Sequence, residues 1–410
     1  MSEAKPFVID KRQVWRAYKK VKANKGSAGI DGITLKKFEE NLEDNLYKIW
    51  NRMSSGSYFP PAVKIVEIPK FDGKKRALGI PTISDRIAQT VFKHWLEPKI
   101  EPYFHPDSYG YRVGKSAHQA IGMARTRCWR KDWVIDMDIK GFFDNLDHEL
   151  VMKALKKHTD EPWVLLYAER WLKAPSQHTG GELERRDKGT PQGGVASPLL
   201  ANLFMHYAFD LWMSKEFPLI EFERYADDII VHASSLAQAE YVLDRIRCRM
   251  RDCGLALHPE KTKIVYCRDD SRKGSYKISE FDFLGYTFRK RAAKGRDGKM
   301  FNSFLPAISD RAMKMIRSRC NQWRIFSRLQ EPLVDILLRI NPVLRGWINY
   351  YGKFYKSKLV EALRPMERRL VKWVSRKYKT FKRQPKQAQK WLEGFASRKP
   401  ELFPLWSIYG

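Results

Sequence analysis

Residues 222–231 read FERYADDIIV, with Asp227 and Asp228 side by side in an otherwise apolar run. Burying one carboxylate in a strand is costly and two adjacent like charges cost more, so the run calls for a positive partner. A second stretch, WVIDMDI (133–139), alternates as a strand: Trp133, Ile135, Met137 and Ile139 share one face, Val134, Asp136 and Asp138 the other. If FERYADDIIV folds as a tight hairpin turning at Ala226-Asp227-Asp228, both carboxylates reach its tip, near the strand end that carries Asp138. Three converging oxygen donors suit a hard divalent cation, and Mg²⁺ is typically held by a couple of carboxylates plus substrate phosphates and waters. Two such ions can activate a 3′-hydroxyl and stabilise a leaving pyrophosphate in an in-line displacement. An isolated Asp-Asp pair is ordinary in an exposed turn; the companion strand, the charge of the chain and the neighbouring motifs favour a site.

The elements that must position these residues are legible from periodicity. Residues 1–60 read as helical, interrupted by GSAGIDG (26–32). PAVKIVEIPKFDGKKRALGI (61–80) alternates as a β-hairpin with its turn at Phe71-Asp72-Gly73. A helix after Thr82 or Ser84 carries Ile87, Val91 and Trp95 on one face. GTPQGG (189–194) is a turn before an apolar helix, Pro198–Trp212. A helix over 237–253 and strands at 262–267 and 281–288 follow. RKRAAKGRDGK (289–299) reads as a charged connector, and beyond it the chain is helical and basic. Val343, Trp347, Tyr350 and Phe354 recur at helical spacing. Leu359, Leu363, Met366, Leu370 and Trp373 do the same, with Arg364, Arg368, Lys372 and Arg376 opposite.

Composition narrows the partners. The 410 residues allow two or three domains, and 77 Lys plus Arg against 47 Asp plus Glu leave a net charge of +30. An excess of that size points to a polyanion, and the many aromatics interleaved with Lys and Arg suit stacking on bases. The five cysteines are odd in number and no two lie two residues apart, which argues against a disulfide framework or a zinc site and for reduced thiols in the cytoplasm. Residues 1–10 (MSEAKPFVID) lack the apolar core of a signal peptide, and no apolar run reaches membrane-spanning length.

YADD (225–228) resembles the YxDD box of reverse transcriptases, and Asp138 in DMDIKGFFD (136–144) resembles the first metal-binding aspartate of their palm. GTPQGGVASPLLANLFMH (189–206), IPKFDGKKRALGIPTISDRIAQ (68–89), GLALHPEKTKI (254–264), FLGYTF (283–288), LRGWINYYGKF (344–354) and SAGIDGIT (27–34) are similar, in order, to motifs of group II intron reverse transcriptase/maturases. The resemblance runs over nearly the whole chain. It implies an α+β right-hand polymerase: an N-terminal extension of the fingers (1–60), fingers and palm with an antiparallel palm sheet (61–290), a helical thumb/maturase domain (300–380) and a short basic tail (381–410). Many relatives carry a C-terminal zinc endonuclease domain; 381–410 holds no paired cysteines, so second-strand cleavage is not expected of this polypeptide.

Carried over residue by residue, the resemblance makes Asp138, Asp227 and Asp228 the catalytic ligands of two Mg²⁺ ions, with the Ile139 carbonyl a further ligand. Phe143 matches the gate that excludes a 2′-hydroxyl, against a plain core role beside Phe142. Lys70 and Arg76 would grip the triphosphate of a deoxynucleoside triphosphate, although Lys74 and Lys75 lie between them; Gln192 would bond near its sugar or base. Arg112 of YGYR (109–112), Arg345, Lys353, Arg368 and Lys372 are the candidate nucleic-acid contacts. Asp136 fits either a place behind Asp138 or a salt bridge to a neighbouring Arg. Asp144 and Asp147 read as helix-start residues. The implied partners are intron RNA, an RNA template and a DNA primer or target, and no membrane. The competing readings are another bacterial reverse transcriptase (retron, diversity-generating or defence-associated) and a splicing-only RNA-binding maturase. The three aspartates speak against the second; SAGIDG and the long basic C-terminal half speak against the first.

Overall fold

The computed structural model describes residues 5–69, 73, 75–178, 180–272, 274–295 and 297–406. Lys70, Phe71, Asp72 and Lys74, and with them most of the turn expected at Phe71-Asp72-Gly73, lie outside the described residues. The chain forms two compact units, Met1–Ala120 with Trp133–Ile264, and Ile121–Asp132 with Val265–Gly410. The architecture is mixed α+β, with a helical C-terminal region.

The first unit opens on helices Lys11–Ala23, Leu35–Glu39 and Leu42–Ser54. Asp10 caps the first of them, its carboxylate accepting from the Arg12 N–H at 2.8 Å, and Val14, Ala17, Tyr18 and Val21 form its buried stripe. Strands β1 (Val63–Pro69) and β2 (Lys75–Ile80) pair antiparallel in the expected hairpin. The Thr82 hydroxyl caps helix Ile83–Ile100, which buries Ile87 and Val91. Strand β3 is Trp133–Asp138. The two-residue strands β4 (Ser176–Gln177) and β5 (Leu183–Glu184) extend the β1–β2 sheet.

Strands β6 (Phe222–Tyr225) and β7 (Asp228–Ala233) form the aspartate hairpin, and β7 also pairs antiparallel with β3. Strand β8 (Lys263–Tyr266) begins beside β3, where the first unit ends. The alternation of β3 does not divide a core face from an open one. Val134 is fully buried and Asp136 only 8 % exposed, so both faces are covered until the strand reaches Asp138. Helix Leu236–Asp252 packs on β3 and β7, and a sheet covered by helices has no wet face for alternation to report.

In the second unit β9 (Phe281–Phe283), β10 (Tyr286–Lys294) and β11 (Met300–Ile308) form an antiparallel meander. FLGYTF is therefore not one strand: Leu284 and Gly285, at φ 51° and 80°, turn the chain as a two-residue hairpin loop does. Nor is 289–299 a connector, because Arg289–Lys294 continue β10 and pair with Met300–Leu305. Charge is tolerated in this strand because Arg291 donates to the Leu305 and Thr287 carbonyls while its exposed neighbours face water. Helices Asp310–Gln322, Leu333–Tyr351, Lys356–Lys377 and Pro385–Arg398 share one core. Leu359, Leu363, Met366, Leu370 and Trp373 are buried and Arg364, Arg368, Lys372 and Arg376 exposed, as the spacing predicts. In Leu333–Tyr351 the buried stripe is instead Leu333, Ile336, Leu337, Ile340 and Leu344, because the helix starts upstream of the window that suggested Val343, which is 36 % exposed. Residues 385–398 are a docked helix that buries Ala388 and Leu392. Among the described residues no helix is long and apolar enough to cross a membrane.

Candidate active site

The register of the sheet builds the centre. Asp138 is the direct partner of Asp228 across β3 and β7, and Tyr225 the partner of Asp228 across β6 and β7. Directly opposed residues share a face, so both carboxylates leave the sheet on one side. The turn is shorter than expected. Only Ala226 and Asp227 occupy it, with Ala226 at φ 59°, a left-handed conformation that suits two-residue hairpin loops. Beyond Asp138, Ile139 turns its side chain into the core, 1 % exposed, and bridges Leu257. The His258 N–H donates to the Asp138 carbonyl at 2.7 Å, and the Lys140 N–H to the Ala256 carbonyl at 2.8 Å. Residues 254–264 are thereby laid along the end of β3, and Lys261 reaches the Asp138 carboxylate at 2.7 Å. Asp136 lies 3.7 Å from Lys263, a lysine and not the arginine anticipated.

Burial pushes the Asp227 carboxyl above the usual aspartate range, and the nearby Asp138 carboxylate pushes the same way. Its own backbone N–H, Arg76 and Lys261 pull it down. The two carboxylates repel, and the chain answers with two cations, Arg76 and Lys261. No three His, Cys, Asp or Glu side chains among the described residues form a ready-made metal cluster. The Asp138 and Asp227 carboxylates lie close enough to act on one another, and Lys261 takes one oxygen of Asp138. The donor set fits a hard cation that brings its other ligands with it, since Mg²⁺ keeps waters and substrate phosphates in its shell.

Two of the expected nucleotide residues, Arg76 and Gln192, meet beside Asp227. The Arg76 Nε donates to the Gln192 Oε1 at 2.7 Å, and the Gly79 N–H to the Gln192 carbonyl at 2.7 Å, which ties β2 to the PQGG loop. Gly193 sits at φ 123°, where a Cβ would stand 2.3 Å from the Gly79 oxygen; only glycine fits. Phe143 is 8 % exposed, edge-on to Phe142 with centroids 5.2 Å apart, and its carbonyl accepts the Thr190 N–H at 2.7 Å. Under the loop, buried Gln89 accepts from the Val195 and Ala196 N–H groups at 2.7 and 3.0 Å and donates to Asp85 at 2.8 Å. Asp85 also accepts from Tyr58 at 2.9 Å and Trp171 at 2.8 Å, and burial raises its carboxyl.

Lys70 lies outside the described residues. Arg112 is corrected from a template contact to an internal clamp: its side chain is 6 % exposed, and its guanidinium is engaged by Glu101 and by the His105 and Ser108 carbonyls. Arg345, Lys353, Arg368 and Lys372 are exposed on the second unit. The last two line a cleft with Val371, Leu392 and Trp406. Asp147 caps helix His148–Lys156 through the Leu150 N–H at 2.8 Å, as expected. Sequence reasoning missed Lys261, although GLALHPEKTKI had been marked as a motif. It also missed Asp85 and Gln89, whose signal is two polar residues one turn apart on an apolar helix face.

A family model described as reverse transcriptase (RNA-dependent DNA polymerase) matches residues 68–288, and a group II intron maturase-specific domain matches 313–391. Protein YkfC of Escherichia coli (strain K12) is 30 % identical over 65 % of this chain and 77 % of its own length. The group II intron-encoded protein LtrA of Lactococcus lactis subsp. cremoris is 34 % identical over 46 % of this chain. An uncharacterized 91 kDa protein in the cob intron of Schizosaccharomyces pombe is 27 % identical over 85 % of it. The matches span 32 % of LtrA and 50 % of the S. pombe protein. With its paired aspartate strands and its two matched domains, the chain belongs to the reverse transcriptase family, in the group II intron type that carries a maturase-specific domain.

Proposed function

We propose that this chain is an RNA-directed DNA polymerase that also binds its intron RNA and assists its splicing and retrohoming. The observation that carries the reading is the register of Asp138 against Asp228 with Asp227 in the adjoining turn, faced by Arg76 and Gln192. In this reading Asp138, Asp227, Asp228 and the Ile139 carbonyl would hold two Mg²⁺ ions, whose charge, when they are bound, would favour in-line attack by a primer 3′-hydroxyl and departure of pyrophosphate. Lys70 and Arg76 receive the triphosphate, Gln192 orients the nucleotide, and Phe143 bars a 2′-hydroxyl. Residues 1–60 extend the fingers, 61–290 make fingers and palm, 300–380 the thumb/maturase domain, and 381–410 an auxiliary basic surface. The partners are intron RNA, an RNA template and a DNA primer or target, reached through surfaces that include Arg345, Lys353, Arg368 and Lys372. Among the described residues no disulfide forms, which supports a cytoplasmic setting.

The test is template-primed DNA synthesis with Asp227→Ala, run beside protein-stimulated splicing of the cognate intron at low Mg²⁺. Synthesis is expected to vanish while splicing persists, because RNA binding uses other surfaces. An unchanged rate of synthesis would sink the catalytic assignment.

A further inference from the structure

Directly behind the aspartate turn, Arg224 is fully buried and its guanidinium has a partner for every N–H. Its Nε and one Nη2 proton go to the two oxygens of Asp210 at 2.7 and 2.6 Å, and the other Nη2 proton to the Ser108 hydroxyl at 2.8 Å. The two Nη1 protons go to the Asn202 Oδ1 at 3.0 Å and the Ala226 carbonyl at 3.2 Å. Five donors in a rigid fork meet five acceptors, which a lysine with three mobile protons cannot reproduce.

The acceptors are assembled by a local irregularity. Asn202 and Asp210 lie on one continuous helical run, which is α over Ser197–Met205, π over His206–Asp210 and α again over Leu211–Glu216. In an unbroken α-helix eight residues at roughly 100° each would leave the two side chains about 80° apart; a π-turn absorbs one extra residue and brings them to within about 20°. Asn202 uses its other end to donate to the Gly110 carbonyl at 2.7 Å. Gly110 lies so close to the turn that a Cβ there would be 2.5 Å from the Ala226 nitrogen. On the opposite face of β6, Glu223 and His232 form a second fully buried pair at 2.7 Å.

We propose that Arg224, held by Asp210 and Asn202, is a positioning residue of the reaction: it fixes the Ala226–Asp227 peptide plane and thereby the aim of Asp227. The peptide has two ends. Its carbonyl is taken by Arg224, and its N–H belongs to Asp227 itself, so the plane and the carboxylate share one residue. A rotation of that plane would turn the carboxylate away from Asp138, so the plane is the part that must not move. A buried ion pair is a poor way merely to stabilise a fold, because well-packed apolar residues of similar volume do as well or better once both charges are removed together. The inference rests on the catalytic reading of Asp227.

That exchange is the test. The double variant Asp210→Leu/Arg224→Met is expected to fold with a lowered melting temperature, because Ser108, Asn202 and the Ala226 carbonyl lose their donor, and to keep the primer–template Kd, while kcat at saturating deoxynucleotide falls about 10–100-fold, the scale of a misplacement near 1 Å. A folded double variant with parental kcat would overturn the proposal and leave the pair a structural one. If the double variant does not fold, Asn202→Ala keeps the ion pair and removes one Nη1 acceptor and the Gly110 tie. It is expected to melt at a lower temperature, because a buried Nη1 proton and the Gly110 carbonyl lose their partner, and in its folded state to lose about tenfold in kcat at an unchanged primer–template Kd; parental kcat in that variant would equally overturn the proposal. Asp227→Ala, assayed alongside, separates the two ideas: its loss of synthesis upholds the site whatever Arg224 does, whereas continued synthesis overturns the site reading and this one together.

Discussion

Asp227 is held at the balance of opposing effects: burial and the Asp138 carboxylate disfavour its charge, and Arg76 and Lys261 favour it. Of these two cations Arg76 is also the one proposed to receive the triphosphate. Phe143 has a double attachment, its ring against Phe142 and its carbonyl under Thr190. Replacing Phe143 by Ala should cost about 3 kcal/mol of stability, the low end for emptying an aromatic core site, measured by denaturant unfolding. The folded fraction should lose discrimination against ribonucleotides by about 10–200-fold, the range available to a steric pocket. A stability loss with unchanged discrimination, read from competing incorporation of the two sugars, would return Phe143 to the core.

Among elements, the two-residue turn at Ala226-Asp227 and the PQGG loop do the positioning, and both work by close backbone approach. Gly193 is the tightest point, with the Gly79 oxygen where a methyl group would have to stand. Gly193→Ala is therefore expected to push the loop off β2 and lengthen the Arg76–Gln192 contact. Nucleotide KM should rise at least about tenfold, a loss of roughly 1.4 kcal/mol of binding, while primer–template affinity is kept. Unchanged KM would show that the loop and strand can separate without consequence. The helical unit illustrates the limit of periodicity in the other direction. Its Lys356–Lys377 stripe was readable because one face is apolar and the other charged, whereas in Leu333–Tyr351 a window opened too late missed the buried stripe from Leu333 to Leu344 and caught Trp347, which packs at its edge.

For the molecule as a whole the dominant quantity is the net charge of +30. A protein engaging about 6–10 phosphates loses roughly 10³–10⁵ in RNA affinity between about 50 and 200 mM salt. Arg368→Ala and Lys372→Ala should each reduce the slope of log affinity against log salt by about 0.7–0.9, the release of one phosphate contact. Filter-binding titrations at several salt concentrations measure it, and parental slopes in both variants would remove the cleft they line from the RNA-binding surface. Charge in excess selects a polyanion but does not name it; the sites that do so lie in side-chain geometry.

What the sequence determined by itself is what leaves a local signature. Asp138, Asp227 and Asp228 stand out because carboxylates in apolar strands are costly wherever the chain goes, and the hairpin over 63–80, the caps at Thr82 and Asp147 and the basic helices follow from neighbours a few residues away. Lys261 on Asp138, 123 residues apart, and Ser108 on Arg224, 116 apart, carry no such mark. Arg112 and Arg224 look alike on paper as basic residues near motifs, yet both are consumed inside the fold. Which arginines face a ligand and which hold the scaffold was decided only by tertiary structure, because a charge is the same in every sequence context and its partner is chosen by the fold.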